Sequence, residues 1–370
     1  MLRPGANSRY LLGSRASAQD TDWQDPQSEG RGGRRLEARS LRSLFLTLFG
    51  RPPFPAEREM WQGEERGKLL DELLGSEEFW WHWYEEQLYF YLLIDNFRPA
   101  TDTLLAVAPK LAEGRLSVRD AVHRIALSPT FDMRNPGADT FVTVVMEQIA
   151  GMKVQANKRE LEIGKALYDG GQGQFLGRKG SGQSDVVQIA VNSKQASRAL
   201  ITREFERLMN AEMDRKQMLR EAREFGKDPY LFIELLRGWF DSEAYDARLA
   251  KQITVPNRIF VRALFVDLFN RLPTDEEALP MRNALDGLSD SRPLRSVLVR
   301  LLLDSGRVPM PTDDQLRDAT TWVAGLFRRL LGREATRNEL AVFVRSLEGP
   351  NCDPKTVLYA LLSCAEYHRF

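Results

Sequence analysis

The chain has 370 residues and 43% hydrophobic content, enough for two or three ordinary domains or one elongated repeat array with substantial cores. Lys plus Arg equals Asp plus Glu at 52 each, so no overall field draws the chain to nucleic acid or to an acidic membrane surface. Two cysteines, Cys352 and Cys364, are too few for a disulfide framework and fit a reducing compartment, with a single bridge between them left open.

Residues 1–38 read as a disordered tail, because their Gly, Ser, Asp and Arg content buries too little apolar surface to offset the entropy of ordering. The apolar patch Tyr10, Leu11 and Leu12 is shorter than the roughly 7 to 15 residues a secretory signal needs. The longest unbroken apolar run, residues 88–94, falls far short of the roughly 20 residues of a spanning helix. No transmembrane segment is expected, and the reading is cytoplasmic, with a secreted or periplasmic location left open.

From Leu41 onward apolar residues recur at helical spacing, as in Leu41, Leu44, Phe45, Leu48 and Phe49, and no convincing period-two alternation appears. The expected fold class is all-α, a helical repeat array or tandem small helical bundles. One head phrase is written three times: Gly50 and Arg51 running to Glu57, Asn270 and Arg271 running to Glu277, and Gly332 and Arg333 running to Glu339. Gly or Asn enters the left-handed conformation that closes a helix, and Thr274 or Thr336 caps the next one, with the Glu three residues on completing a capping box. Each Arg is expected to bond the last carbonyls of its preceding helix or the Glu across the turn, in preference to a repeated acidic-ligand site.

A tail phrase follows amphipathic runs at Ser76 to Phe79, Ser128 to Phe131, Ser242 to Tyr245 and Cys364 to Tyr367. Head and tail make units of roughly 40 to 50 residues, a length typical of helical repeats that share one core. Three clear units lie at 41–97, 258–305 and 320–370. A degenerate fourth starts near Thr140, with Gly151 as its stop and Asn157 with Glu160 as its cap pair. The expected organisation is a tail over 1–38, a helical unit with an aromatic central helix over 39–135, a degenerate unit over 136–255, and two tandem repeats over 256–370. The degenerate unit carries a Gly-rich insertion at 169–185, read as a flexible surface loop. It also carries one long charged helix over 196–226, ended by Gly226 and Pro229.

Chemistry-bearing constellations are few. The insertion lacks the Lys-Ser or Lys-Thr ending of a P-loop, and the three histidines, His82, His123 and His368, sit in no zinc-ligand spacing. The best metal constellation is Glu78, His82 and Glu86, three residues on one helical face, weighed against a solvated stripe. No metal or other cofactor is expected. The surrounding helix, with Trp80, Trp81 and Tyr84, is apolar on nearly every side and reads as a central core helix. Its alternative is an exposed aromatic face receiving a partner protein, with those three residues as the contacts. Cys364 and His368 are the sole sequence-local nucleophile and base pair, read as incidental.

Residues 41–97 carry a Leu-rich helix, Gly50-Arg51-Pro52-Pro53, Glu57, a Leu73-Leu74-Gly75-Ser76 turn, then Trp81 and His82-Trp83. They resemble the planctomycete-type cytochrome-associated domain of unknown function. Phe54 stands where that family has Thr, and only His82-Trp83 of its aromatic motif is in place. The family is often attached to c-type cytochrome domains, but this chain has no Cys-x-x-Cys-His, so the resemblance implies no covalent haem here. Residues 258–370 are more loosely similar to helical repeat domains of surface-layer and phycobilisome-linker type, which assemble other proteins. The leading functional expectation is a non-enzymatic scaffold or adaptor for a protein complex. The alternatives are a metal- or redox-associated accessory enzyme with its site on the His82 helix, and a subunit of a homo-oligomeric shell or filament.

Overall fold

A computed structural model describes residues 35–93, 102–251, 253–348 and 353–369. Among them the fold is all-α with one small hairpin. The first unit comprises α1 (Ala38–Leu48), α2 (Pro55–Trp61), α3 (Arg66–Leu74) and α4 (Glu77–Leu92). Four short helices follow: α5 (Asp102–Leu105), α6 (Val107–Ala112), α7 (Val118–Ala126) and α8 (Pro129–Arg134). Next come α9 (Gly137–Val144), which runs into a π-helical turn Val145–Ile149, then α10 (Lys158–Tyr168) and the hairpin β1 (Gly173–Phe175) with β2 (Arg178–Gly180). The middle of the chain ends with α11 (Gln183–Val191), α12 (Lys194–Met209), α13 (Arg215–Lys227), α14 (Phe232–Phe240) and α15 (Glu243–Ala250). The last stretch holds α16 (Asn257–Phe269), α17 (Asp275–Asp286), α18 (Arg292–Asp304), α19 (Asp313–Arg317) and α20 (Ala319–Leu326). A π turn Phe327–Leu331 then leads to α21 (Arg337–Leu347) and α22 (Pro354–Leu362).

The head phrase builds the same corner wherever it occurs. Gly50, Asn270 and Gly332 all take positive φ, at +66°, +52° and +64°, where a β-carbon is strained and Gly or Asn is favoured. Two further corners share this geometry, at Gly151 (φ +63°) and Asn210 (φ +48°). Thr274 and Thr336 cap α17 and α21 as expected, each hydroxyl accepting the amide of the Glu three residues on at 3.4 and 3.3 Å. The tails also repeat: Ser76, Ser128 and Ser193 accept the amide three residues on at 3.2, 3.2 and 3.0 Å, and the Cys364 thiol does so at 3.4 Å. Ser242 departs, donating to the Trp239 carbonyl at 2.6 Å without capping α15.

Four expectations need correction. Residues 1–34 lie outside the described residues, but 35–38 belong to the fold: Leu36 is buried, and Arg35 bridges Glu65. The 196–226 helix is two helices, because Asn210 turns left-handed and Asp214 caps α13 by accepting the amides of Lys216 and Gln217 at 2.8 and 3.0 Å. Asn157 and Glu160 form no capping box; Asn157 makes no side-chain cap, and Glu160 accepts the Leu176 amide at 2.8 Å. That bond fixes the tip of a β-hairpin inside the Gly-rich insertion. Leu176 and Gly177 both have positive φ, as a two-residue hairpin turn of that hand requires. Phe175 beside them is fully buried against α10, where Gly164 leaves room that a β-carbon would close to 3.1 Å from the ring.

One continuous core runs from Leu36 to Tyr245, so the expected 39–135 and 136–255 units share a single interior, while a second core spans Phe260 to Tyr367. The first helix joins them. Leu46 packs with Val255, Ile259 and Ala263 in a small separate cluster. Arg42 makes a buried bidentate ion pair with Asp267 at 3.1 and 2.7 Å, both side chains at most 4% exposed, and Tyr367 donates its hydroxyl to the same carboxylate at 2.9 Å. The array therefore folds back until its first helix meets its last unit.

Candidate functional site

The head corners carry charge as well as shape. Arg51 straddles two carboxylates, Glu57 at 2.7 and 2.8 Å and Glu78 at 2.5 and 2.8 Å, and donates to its neighbour's carbonyl, Pro52 O, at 3.1 Å. Arg333 repeats this with Glu339 at 2.9 and 2.7 Å, Glu366 at 2.6 and 2.8 Å, and Glu334 O at 3.0 Å. Glu366 stands third in its tail phrase, where Glu78 stands in the first. Arg271 grips Glu277 at 2.7 and 2.8 Å, and Arg307, three residues after α18, reaches the same carboxylate at 3.4 Å. Hydrogen bonds from Arg271 and Arg333 hold the Glu277 and Glu339 carboxyls down at about 2. These arginines are consumed by internal pairs, so the structural reading of the head phrase holds.

The aromatic helix α4 splits the residues assigned to it. Trp80 is 6% and Tyr84 0% exposed, so neither offers a surface to a partner, contrary to the contact reading of both. Trp80 packs edge-on against Phe79 and Trp83 at ring separations of 5.0 and 5.8 Å. Only Trp81 of the three is partly open, its indole donating to Glu77 at 3.0 Å. Ile94 lies outside the described residues.

Glu78, His82 and Glu86 do not converge. Glu78 is turned to Arg51, and Glu86 pairs with Arg258 while lying 3.6 Å from His82 Nε2. Among the described residues no three His, Cys, Asp or Glu side chains are placed to hold a metal ion. His82 is buried under the Gly50 corner, where a β-carbon would fall 2.6 Å from its ring. Burial, then Arg258, Arg262 and Arg207, push its pKa well below the ordinary value, so the imidazole is neutral. On either side of it lie clefts of about 200 and 250 Å³; the first faces α1, α12 and α15, the second faces α17.

The Cys364 and His368 pair is not assembled either, since His368 Nε2 lies 3.1 Å from Leu362 O and burial raises the thiol pKa. Cys352 lies outside the described residues. Sequence reasoning missed the polar groups inside the first core. Glu204 is fully buried and accepts from Gln87 at 2.9 Å and Arg207 at 2.8 Å; burial alone raises its pKa, but Arg207 and Arg203 outweigh that and hold it at about 2. Among the described residues no helix is long and apolar enough to cross a membrane. No family model, curated protein or solved structure matches the chain.

Proposed function

We propose that this protein is a non-enzymatic helical-repeat scaffold that holds other proteins, and that its contact surface is on the C-terminal repeats in place of α4. The observation that carries this reading is the outer face of α18. Val297 and Leu301, one helical turn apart, are 50% and 61% exposed, while the opposite face of the same helix buries Leu298, Val299, Leu302 and Leu303. In the following repeat α21 buries no residue and leaves Val342 at 66% exposure. Repeat arrays need polar outer faces to stay soluble alone, and apolar stripes on such faces mark contact surfaces.

Two features favour assembly over chemistry. The corner arginines are each occupied by internal carboxylates, and His82 is neutral and enclosed. The likeness of residues 41–97 to the cytochrome-associated domain, and of 258–370 to linker-type repeats, belongs to the same proposal and supports an accessory, assembling role. The test compares native-host proteins retained by the wild type and by the double variant Val297→Asp with Leu301→Asp, both checked for helicity. The proposal expects specific partners retained by the first and lost from the second. Catalytic turnover by the isolated chain, or identical retention by both, would overturn it.

A further inference from the structure

The cleft of about 200 Å³ on the α1 side of His82 is lined by three guanidinium groups, those of Arg207, Arg248 and Arg258, against one carboxylate, Glu86. Two of the three carry an ion pair, Arg207 with Glu204 at 2.8 Å and Arg258 with Glu86, although the Arg258 Nε, like that of Arg248, is buried without a hydrogen-bond partner. Arg248 is different. Its Nη1 donates to the Ser43 hydroxyl at 3.1 Å, its Nε is buried without a hydrogen-bond partner, and among the described residues no carboxylate pairs with it. The Tyr245 ring, 5.9 Å away, backs the guanidinium from the interior. Burial first, and Arg207 beside it, lower its pKa below the usual arginine value. A half-buried cation without a counter-charge among the described residues is a ready partner for an anion.

The other walls say what that anion is. Leu46, Leu208 and Ile259 give the cleft apolar lining. Glu86 and the neutral His82 also line the cleft, and the carboxylate disfavours a second negative charge. We propose that the cleft binds a small aliphatic monocarboxylate, its carboxylate on the Arg248 guanidinium and its hydrocarbon on Leu46, Leu208 and Ile259. An inorganic phosphate dianion matches neither the single open cation nor the apolar wall. A bidentate carboxylate on arginine is the strongest pairing this group offers.

The experiment is calorimetric titration of the full chain with sodium hexanoate, and in parallel with sodium phosphate. Hexanoate is expected to bind one to one and phosphate not to compete. Arg248→Met should weaken hexanoate at least about 30-fold, as removing one partner of an enclosed charge pair does. The same variant should melt at the same temperature as the unliganded wild type or above it, because it deletes a half-buried charge that no carboxylate among the described residues pairs. Thr47→Phe, which adds a ring to the α1 lining of the cleft, should also abolish binding in a folded protein. Absence of hexanoate binding to the wild type, equal affinity in Arg248→Met, or phosphate binding as tightly as hexanoate would each overturn the proposal. So would a lower melting temperature of Arg248→Met without ligand, which would make the guanidinium a structural strut.

Discussion

Gly332→Ala and Asn270→Ala change equivalent corners of one core, yet the structure assigns them unequal costs. Asn270 already carries a β-carbon at φ +52° and is exposed, so Ala there loses only the tolerance of Asn for the left-handed region, about 1 kcal/mol. A β-carbon at Gly332 pays a similar left-handed penalty of roughly 1 to 2 kcal/mol, partly offset by about 0.4 to 1 kcal/mol of lost unfolded-state freedom. It also meets α1. The added carbon would lie 2.8 Å from Arg39 Cα and 3.1 Å from Arg39 N, backbone atoms that no rotamer change moves aside. Overpacking of that kind costs about 1 to 3 kcal/mol, for a total near 2 to 4 kcal/mol. Urea denaturation followed by circular dichroism measures both, and because both corners flank helices of the Phe260–Tyr367 core any intermediate affects them alike. Equal losses would refute the contact between the last corner and the first helix.

Three further outcomes are expected. Asp267→Asn should cost about 3 to 5 kcal/mol by stranding buried Arg42, whereas Arg42→Met combined with Asp267→Leu should recover most of it in thermal unfolding; a loss under about 1 kcal/mol for the single change contradicts the buried pair. Phe175→Ala should cost about 3 to 5 kcal/mol by the same assay, since the ring is fully buried, and a neutral result would restore the free-loop reading of the insertion. His82 and His368 are held neutral, with His368 near 4, so the unfolded chain binds more protons than the folded one below about 6.5, and stability falls as pH drops from there. His82→Gln should flatten that slope between about pH 6.5 and 5; an unchanged slope would mean that His82 titrates freely.

Much of the frame was legible because its information is local. A left-handed Gly or Asn, a capping Thr and a Glu three residues later declare a corner within ten positions, as at 270–277 and 332–339. The Asn210 corner escaped notice because Ala211 stands where Arg is expected and Gln217 where Glu is, although Asp214 still caps the helix. The hairpin was hidden by strands of three residues each, rich in Gly, whose one decisive residue, Phe175, is paired with nothing nearby in sequence. Candidate sites fared worse for a physical reason. Whether Trp80 faces partner or core, and whether Arg248 finds a carboxylate, depends on helices far apart in the chain. Arg42 and Asp267 are 225 residues apart. No spacing rule reaches that far.

The central claim is that the α18 face is where this scaffold meets its partner, and a photoreactive side chain placed at Val297 tests it most directly. Activated in native-host lysate and in purified solution, it should join a discrete protein, or a second copy of this chain, with no equivalent product from the same group at Arg317, which is also exposed. Equal labelling at both positions, or none at Val297, would contradict the account.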